Sequence, residues 1–363
     1  TAAAENSEEG GDNVDAGTNA AAFVTGIDGA DGMDTIHNTG TINVTGESDA
    51  DSENVTPTIS IAKGGVLNIF PGMSLAEAGT TAHTVATGID GGSGKDEISN
   101  EDELVVEANA YSTSAGIAVL LKEVTTKGLA WGGALSNTDT DAVATSKGIL
   151  GGEDDDVLEN SGAITVTATP DTDSASVSAT LMGAKEGLVA GFTYADVATT
   201  ADGTAIGIDG GAGIDTITNT STGEICVTSE PTSTSASVGA TVEGAFSQEW
   251  SAILGGAIAD ATTRAVSTVT GVDAGDDDDT VTNAGKITLT ANPDADSASV
   301  TATLTGAEDG LAAGFTYADG ETTAEATAVG IRGGAGDDTI TNAATGQIEV
   351  TADPESSSAS VGV

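Results

Sequence analysis

"GIDGGAGIDTITN" fills positions 207–219 and "GIRGGAGDDTITN" fills positions 330–342. Strings so alike mark a repeat, and four looser copies align with them. The copies begin at Gly26, Gly88, Gly148, Gly207, Gly271 and Gly330, at intervals of 62, 60, 59, 64 and 59 residues. Each keeps its leading glycine, an aspartate eight positions on and an asparagine twelve positions on. The aspartates are Asp34, Asp96, Asp156, Asp215, Asp279 and Asp338, and the asparagines Asn38, Asn100, Asn160, Asn219, Asn283 and Asn342.

The likeness extends beyond these cassettes. A turn and an alternating segment follow each asparagine, as in "TGTINVT" (39–45), "SGAITVT" (161–167) and "AGKITLT" (284–290). "SASV" recurs from Ser174, Ser235, Ser297 and Ser358, and "AGFTYAD" appears at 190–196 and 313–319. Alternation of apolar and polar residues is the signature of strands, and helical periodicity is nearly absent. Short strands and Gly/Asn/Asp turns at a fixed period of tens of residues define a stacked-repeat architecture.

The expected fold is therefore all-β, a parallel β-solenoid of six ~60-residue repeats in which each strand lies on its own copy. The expected divisions are 1–25 (a partial repeat or N-terminal arm), 26–87, 88–147, 148–206, 207–270, 271–329 and the partial repeat 330–363, all in one continuous solenoid. A repeat could form a single wide coil or two or three ordinary ones; the faint internal sub-repeat favours one. The alternation predicts inward faces for Ile164, Val166, Val177, Ala179 and Leu181. Tyr194, Ile258 and Tyr317 are equivalent positions and share a face with residues such as Phe192. They are read as a ladder of like residues inside the fold, the alternative being an outward aromatic strip that stacks on sugars.

Composition narrows the function. Nine basic residues face 57 acidic ones, a net charge of −48, which repels nucleic acid and anionic lipid. No apolar run reaches the length of a membrane span. The opening "TAAAENSEEGG" has neither a basic start nor an apolar segment, so any signal peptide is expected to have been removed. The single cysteine, Cys226, excludes an internal disulfide and is expected on the face opposite Ile225 and Val227. Such an acidic surface suits a secreted protein whose carboxylates bind cations.

Three cassettes read G-G-x-G-x-D-x-U-x, where U is a large apolar residue: "GGSGKDEIS" (91–99), "GGAGIDTIT" (210–218) and "GGAGDDTIT" (333–341). This resembles the calcium-binding nonapeptide of the RTX family of secreted bacterial proteins. The resemblance implies a parallel β-roll in which glycine-turn carbonyls and the aspartate ligate Ca²⁺ between neighbouring turns. It makes Asp96, Asp215 and Asp338 the strongest candidate ligands, with Asp34, Asp156 and Asp279 their equivalents. Ile98, Ile217 and Ile340 would enter the core. RTX nonapeptides follow one another directly, whereas these stand one to a repeat, so calcium could bridge them only if consecutive cassettes stack. The stretch "DTITNxGxI" also resembles autotransporter passengers and other large bacterial surface adhesins.

An enzyme is not expected. Arg264 and Arg332 lie in unrelated phases of the repeat, His37 and His83 are the only histidines, and the aspartate pairs obey the periodicity that an active site should interrupt. The expected function is an extracellular or cell-surface structural protein of bacterial type, calcium-stabilised, that assembles head to tail or forms a segment of a fibre. The alternative is a glycan- or host-binding module of an adhesin. The 25 residues before the first cassette and the 34 from the start of the last together make 59, one full repeat, which suits stacking of one copy on the next.

Overall fold

The computed structural model describes residues 12–62, 68–245 and 251–363. Among them there is no helix, and the paired strands run parallel in a 13-stranded and a six-stranded sheet. The fold is all-β with parallel sheets. Val, Ile and Thr at alternate positions suit such half-buried pleated surfaces.

Register decides how the repeats meet. Each strand pairs with its equivalent one repeat later. Ile27 lies against Ile89, Ile89 against Ile149, Ile149 against Ile208, and Ile208 against Val272. The short strands Thr35–Asn38, Glu97–Asn100, Val157–Asn160, Thr216–Asn219, Thr280–Asn283 and Thr339–Asn342 form the six-stranded sheet in that order. Strands of the first repeat, such as Asp12–Asp28, and of the last, such as Gly310–Ala335, pair on one side only.

Two kinds of interior result. Beneath the cassettes lies an aliphatic core in which Ile98, Leu158, Ile217, Ile164, Val166 and Ile225 are buried. Burial of each such side chain contributes roughly 1.5–3 kcal/mol. Ile164 and Val166 face inward as expected, and Cys226 is exposed between buried Ile225 and Val227. Ile340 continues the column of Ile98 and Ile217 but stays 47% exposed in the last repeat.

The other interior reverses the expected phase. Ser174, Ser176, Ser178 and Thr180 point inward, so Val177, Ala179 and Leu181 point outward, contrary to the sequence reading. The cause is how closely the two facing walls approach. Ser176 Oγ donates to the Ser136 carbonyl at 2.9 Å, Ser237 Oγ to that of Ala195 at 2.7 Å, and Thr241 Oγ1 to that of Gly256 at 2.7 Å. A hydroxyl that reaches the opposite backbone requires walls nearer than the ~10 Å of ordinary stacked sheets. Leucine enters this layer opposite glycines: Leu120, at the position of Thr180, is fully buried against Gly72 and Gly132.

The aromatic ladder also faces outward. Tyr194, Ile258 and Tyr317 stack in register as expected, but Tyr317 is 54% exposed and its Oη donates to Asp319 at 2.7 Å. Residues in the Phe192 column alternate in size: Gly133, Phe192, Gly256, Phe315. A Cβ at Gly133 would lie 2.7 Å from the Phe192 ring, and one at Gly256 2.2 Å from Phe315. Each phenylalanine therefore fills the place its glycine leaves open.

Candidate functional site

The cassettes form one column. Each begins at the end of a long strand, turns through its glycines and re-enters a short strand at the residue after the aspartate. Gly211 and Gly213 adopt φ of 105° and 120°, the left-handed region that a side chain resists. At the position of Gly213, two other repeats carry Asp154 (φ 74°) and Asp277 (φ 79°), and aspartate is among the few residues that tolerate this conformation.

Gly210 serves differently. A Cβ there would come within 2.6 Å of Asp215 Oδ2, so the missing side chain leaves room for the carboxylate. The same contact is 2.8 Å at Gly91 with Asp96 and 2.7 Å at Gly151 with Asp156. The aspartates are thus folded under the turn, and Asp96, Asp156, Asp215 and Asp279 are buried.

All six aspartates are in register. The Asp34 amide donates to Asp96 Oδ1 at 2.7 Å, and the pattern continues from Asp96 to Asp156 (2.7 Å), Asp156 to Asp215 (2.8 Å), Asp215 to Asp279 (2.8 Å) and Asp279 to Asp338 (3.1 Å). One oxygen of each carboxylate from Asp96 to Asp338 thus bonds to the preceding repeat. The second oxygen of Asp34, Asp96, Asp156, Asp215 and Asp279 is buried without a hydrogen-bond partner among the described residues. Burial pushes Asp156 up to about 6 and Asp215 up to about 7, and raises Asp279, with neighbouring aspartates adding to the effect. An orphaned oxygen in such a place invites a proton or a cation.

Four residues on, the asparagines form a closed ladder. Asn38 Nδ2 donates to Asn100 Oδ1 at 2.7 Å, and the later links measure 2.9, 2.9, 2.8 and 2.8 Å. Further carboxylates of the cassettes, such as Asp155 and Asp278, stay at the exposed tips of the turns. There Asp155 accepts from the Ile214 amide at 3.0 Å and Asp278 from the Asp337 amide at 2.8 Å. Arg332 pairs with Asp273 at 3.1 Å and Arg264 with Glu325 at 2.9 Å. Among the described residues no three acidic, histidine or cysteine side chains gather as a metal cluster.

Sequence reasoning missed Glu243. It lies between the close walls, 2% exposed, with both carboxylate oxygens lacking a partner among the described residues. Gly191 and Gly255 make room for it, since added Cβ atoms would come within 2.2 and 3.2 Å of its oxygens. Burial pushes its carboxyl up to about 8. The sequence offered no signal for it, because with Leu181 read as inward, Met182 and its equivalents Glu243 and Thr305 fall on the outward side. Comparison with protein-family models, curated proteins and solved structures finds no match for this chain.

Proposed function

We propose that the chain is a parallel β-solenoid with one wide coil per repeat, serving as an extracellular, cell-surface structural element of bacterial type. In this reading coils stack along one axis to build a shaft or fibre, either head to tail between copies or as a segment of a longer array. The observation that carries it is the unbroken register: like lies on like through all six cassettes. One-sided strands of the first and last repeats supply the edges on which stacking would continue.

Ca²⁺ is the proposed cofactor of the Asp34, Asp96, Asp156, Asp215, Asp279 and Asp338 column. The donor chemistry fits, since partner-free carboxylate oxygens recur once per repeat beneath a turn. The donor number falls short of the six to eight oxygens of a dedicated cage, so roughly millimolar affinity is expected. Bound, the ion would neutralise the aspartate column.

Negative-stain microscopy of the purified chain, with Ca²⁺ and with chelator, tests the reading. Straight fibres favoured by Ca²⁺ support it, and dispersed particles in both conditions contradict it. A second reading, a glycan-binding adhesin module, draws on two outward columns, one with Phe192 and Phe315 and one with Tyr194 and Tyr317. Dispersed particles that bind immobilised glycans would favour that alternative.

A further inference from the structure

The close-walled half of the molecule turns a broad apolar face to the outside. Over three repeats its outward positions form columns along the stacking direction, each uniform in size; in the two preceding repeats the alanine columns hold Glu53 and Ala115, and Pro57 and Val119. Ala175, Ala236 and Ala298 make one column, and Val177, Val238 and Val300 the next. A second alanine column (Ala179, Ala240, Ala302) follows, then Leu181, Val242 and Leu304. Val300 is 40% exposed and Leu304 67%. Beyond them a glycine column (Gly183, Gly244, Gly306) floors a trough of about 750 Å³. The face is thus ribbed: valine and leucine ridges alternate with alanine and glycine grooves.

Columns two residues apart lie about 6.7 Å from one another, and repeats are spaced about 4.8 Å. Four columns over five repeats, apolar at every position but Glu53, then cover on the order of 650 Å². That exceeds the largest apolar patch of most soluble monomers, about 300–600 Å², and approaches the ~800 Å² per partner of a stable dimer.

From this geometry we infer that the ribbed face pairs with the same face of a second copy, the two running parallel about a two-fold axis along the stacking direction. That operation reverses the order of the columns. With the axis between the valine column and the second alanine column, the valine ridge of the three uniform repeats enters the partner's alanine groove, and the leucine ridge the other alanine groove, while Ile117 meets Val119 and Val55 meets Pro57. A two-fold axis across the columns would set ridge on ridge, so antiparallel pairing is disfavoured. Shifting the axis one column toward Asp173 would press that carboxylate onto the partner's alanines. In the preferred setting the charged columns fall at the rim, and the one carboxylate within the face, Glu53, lies at its end opposite the column of Ile59. Lys185 of one copy then faces Asp171 of the other at the same height, whereas Glu308 faces Asp294, a like-charged pair. A symmetric contact of this kind closes at two copies, unlike end-on stacking.

Sedimentation of the full chain, with filament width measured by microscopy, tests this pairing separately from stacking along the axis. A particle of two chains is expected, or filaments two units wide where fibres form. Val238→Lys, which alters only an outward ridge, should keep the β circular dichroism, weaken pairing at least 100-fold and halve filament width without abolishing fibres. Glu308→Lys should tighten pairing several-fold by relieving the rim repulsion. Val238→Lys that pairs like the parent would overturn the inference and leave axial stacking untouched. So would a parent and a Glu308→Lys variant that both stay monomeric, or a monomeric parent that floats with neutral phosphatidylcholine vesicles.

Discussion

Beneath the cassettes the interior is aliphatic, with Ile98, Leu158 and Ile217 packed together; between the close walls it is a layer of serine and threonine hydroxyls. Both halves share one chain, one register and one alternating pattern. They differ in wall separation, and this difference decides which member of each alternating pair goes inside. Where there is room, isoleucine fills it. Where walls nearly touch, hydroxyls and methyls fill the layer and residues such as Val177 and Leu181 are left outside; larger groups such as Leu120, Met182 and Glu243 enter opposite glycines such as Gly132 and Gly191. An apolar residue at an alternating position is therefore inside only if the opposite wall is far enough away.

The sharpest way to break this comparison is to truncate one residue in each half. Ile217→Ala should cost about 2–5 kcal/mol, because it opens a cavity in the aliphatic core. Leu181→Ala, on the outward ridge, should stay within about 0.5 kcal/mol in the monomer. Chemical denaturation at low protein concentration measures both, and equal losses would mean that Leu181 faces inward.

Glu243 sharpens the comparison, since it places a carboxylate where neighbouring repeats carry methionine or threonine. Its folded pKa, raised to about 8, lies above the unfolded value near 4.5. The folded state thus binds more protons, and this group's contribution to stability falls as pH rises from about 4.5 through about 8. Glu243→Gln should match the parent near pH 5 and exceed it at pH 9 by roughly 3 kcal/mol. In chelator the Asp156 and Asp215 carboxyls act in the same direction, losing stability from about pH 4 up to about 6 and 7. Denaturation midpoints across this range measure the effect, and a variant no more stable than the parent at pH 9 would show that Glu243 is ionised at no cost.

Stacking was legible because spacing is a direct statement about register: equal intervals place Asp34 on Asp96 and Asn38 on Asn100. The expectation of one strand for each equivalent strand of the next repeat followed from the same intervals. The inside-outside phase of the close-walled half was not legible. Ser174–Ala175–Ser176–Val177 alternates equally well either way, and the rule that apolar residues turn inward gave the wrong answer for Val177, Ala179 and Leu181. No local feature of that segment encodes the distance to a wall 12 to 40 residues away. The aspartates were legible as a column but not as groups folded beneath the turn, since that placement depends on the space left at Gly91, Gly151 and Gly210.

The claim beneath all of this is that neighbouring repeats lie one on the other, in register. Nitroxide labels at Thr216→Cys and Thr280→Cys, in a chain whose native Cys226 is replaced by serine, would sit on directly paired strands. Their side chains face outward. At a strand separation of about 4.8 Å, the continuous-wave spectrum should be strongly broadened by spin–spin interaction. It should sharpen when the second label is moved to Thr339→Cys, one repeat further on. A 216/280 spectrum equal to the sum of the two singly labelled proteins would contradict the stacked register.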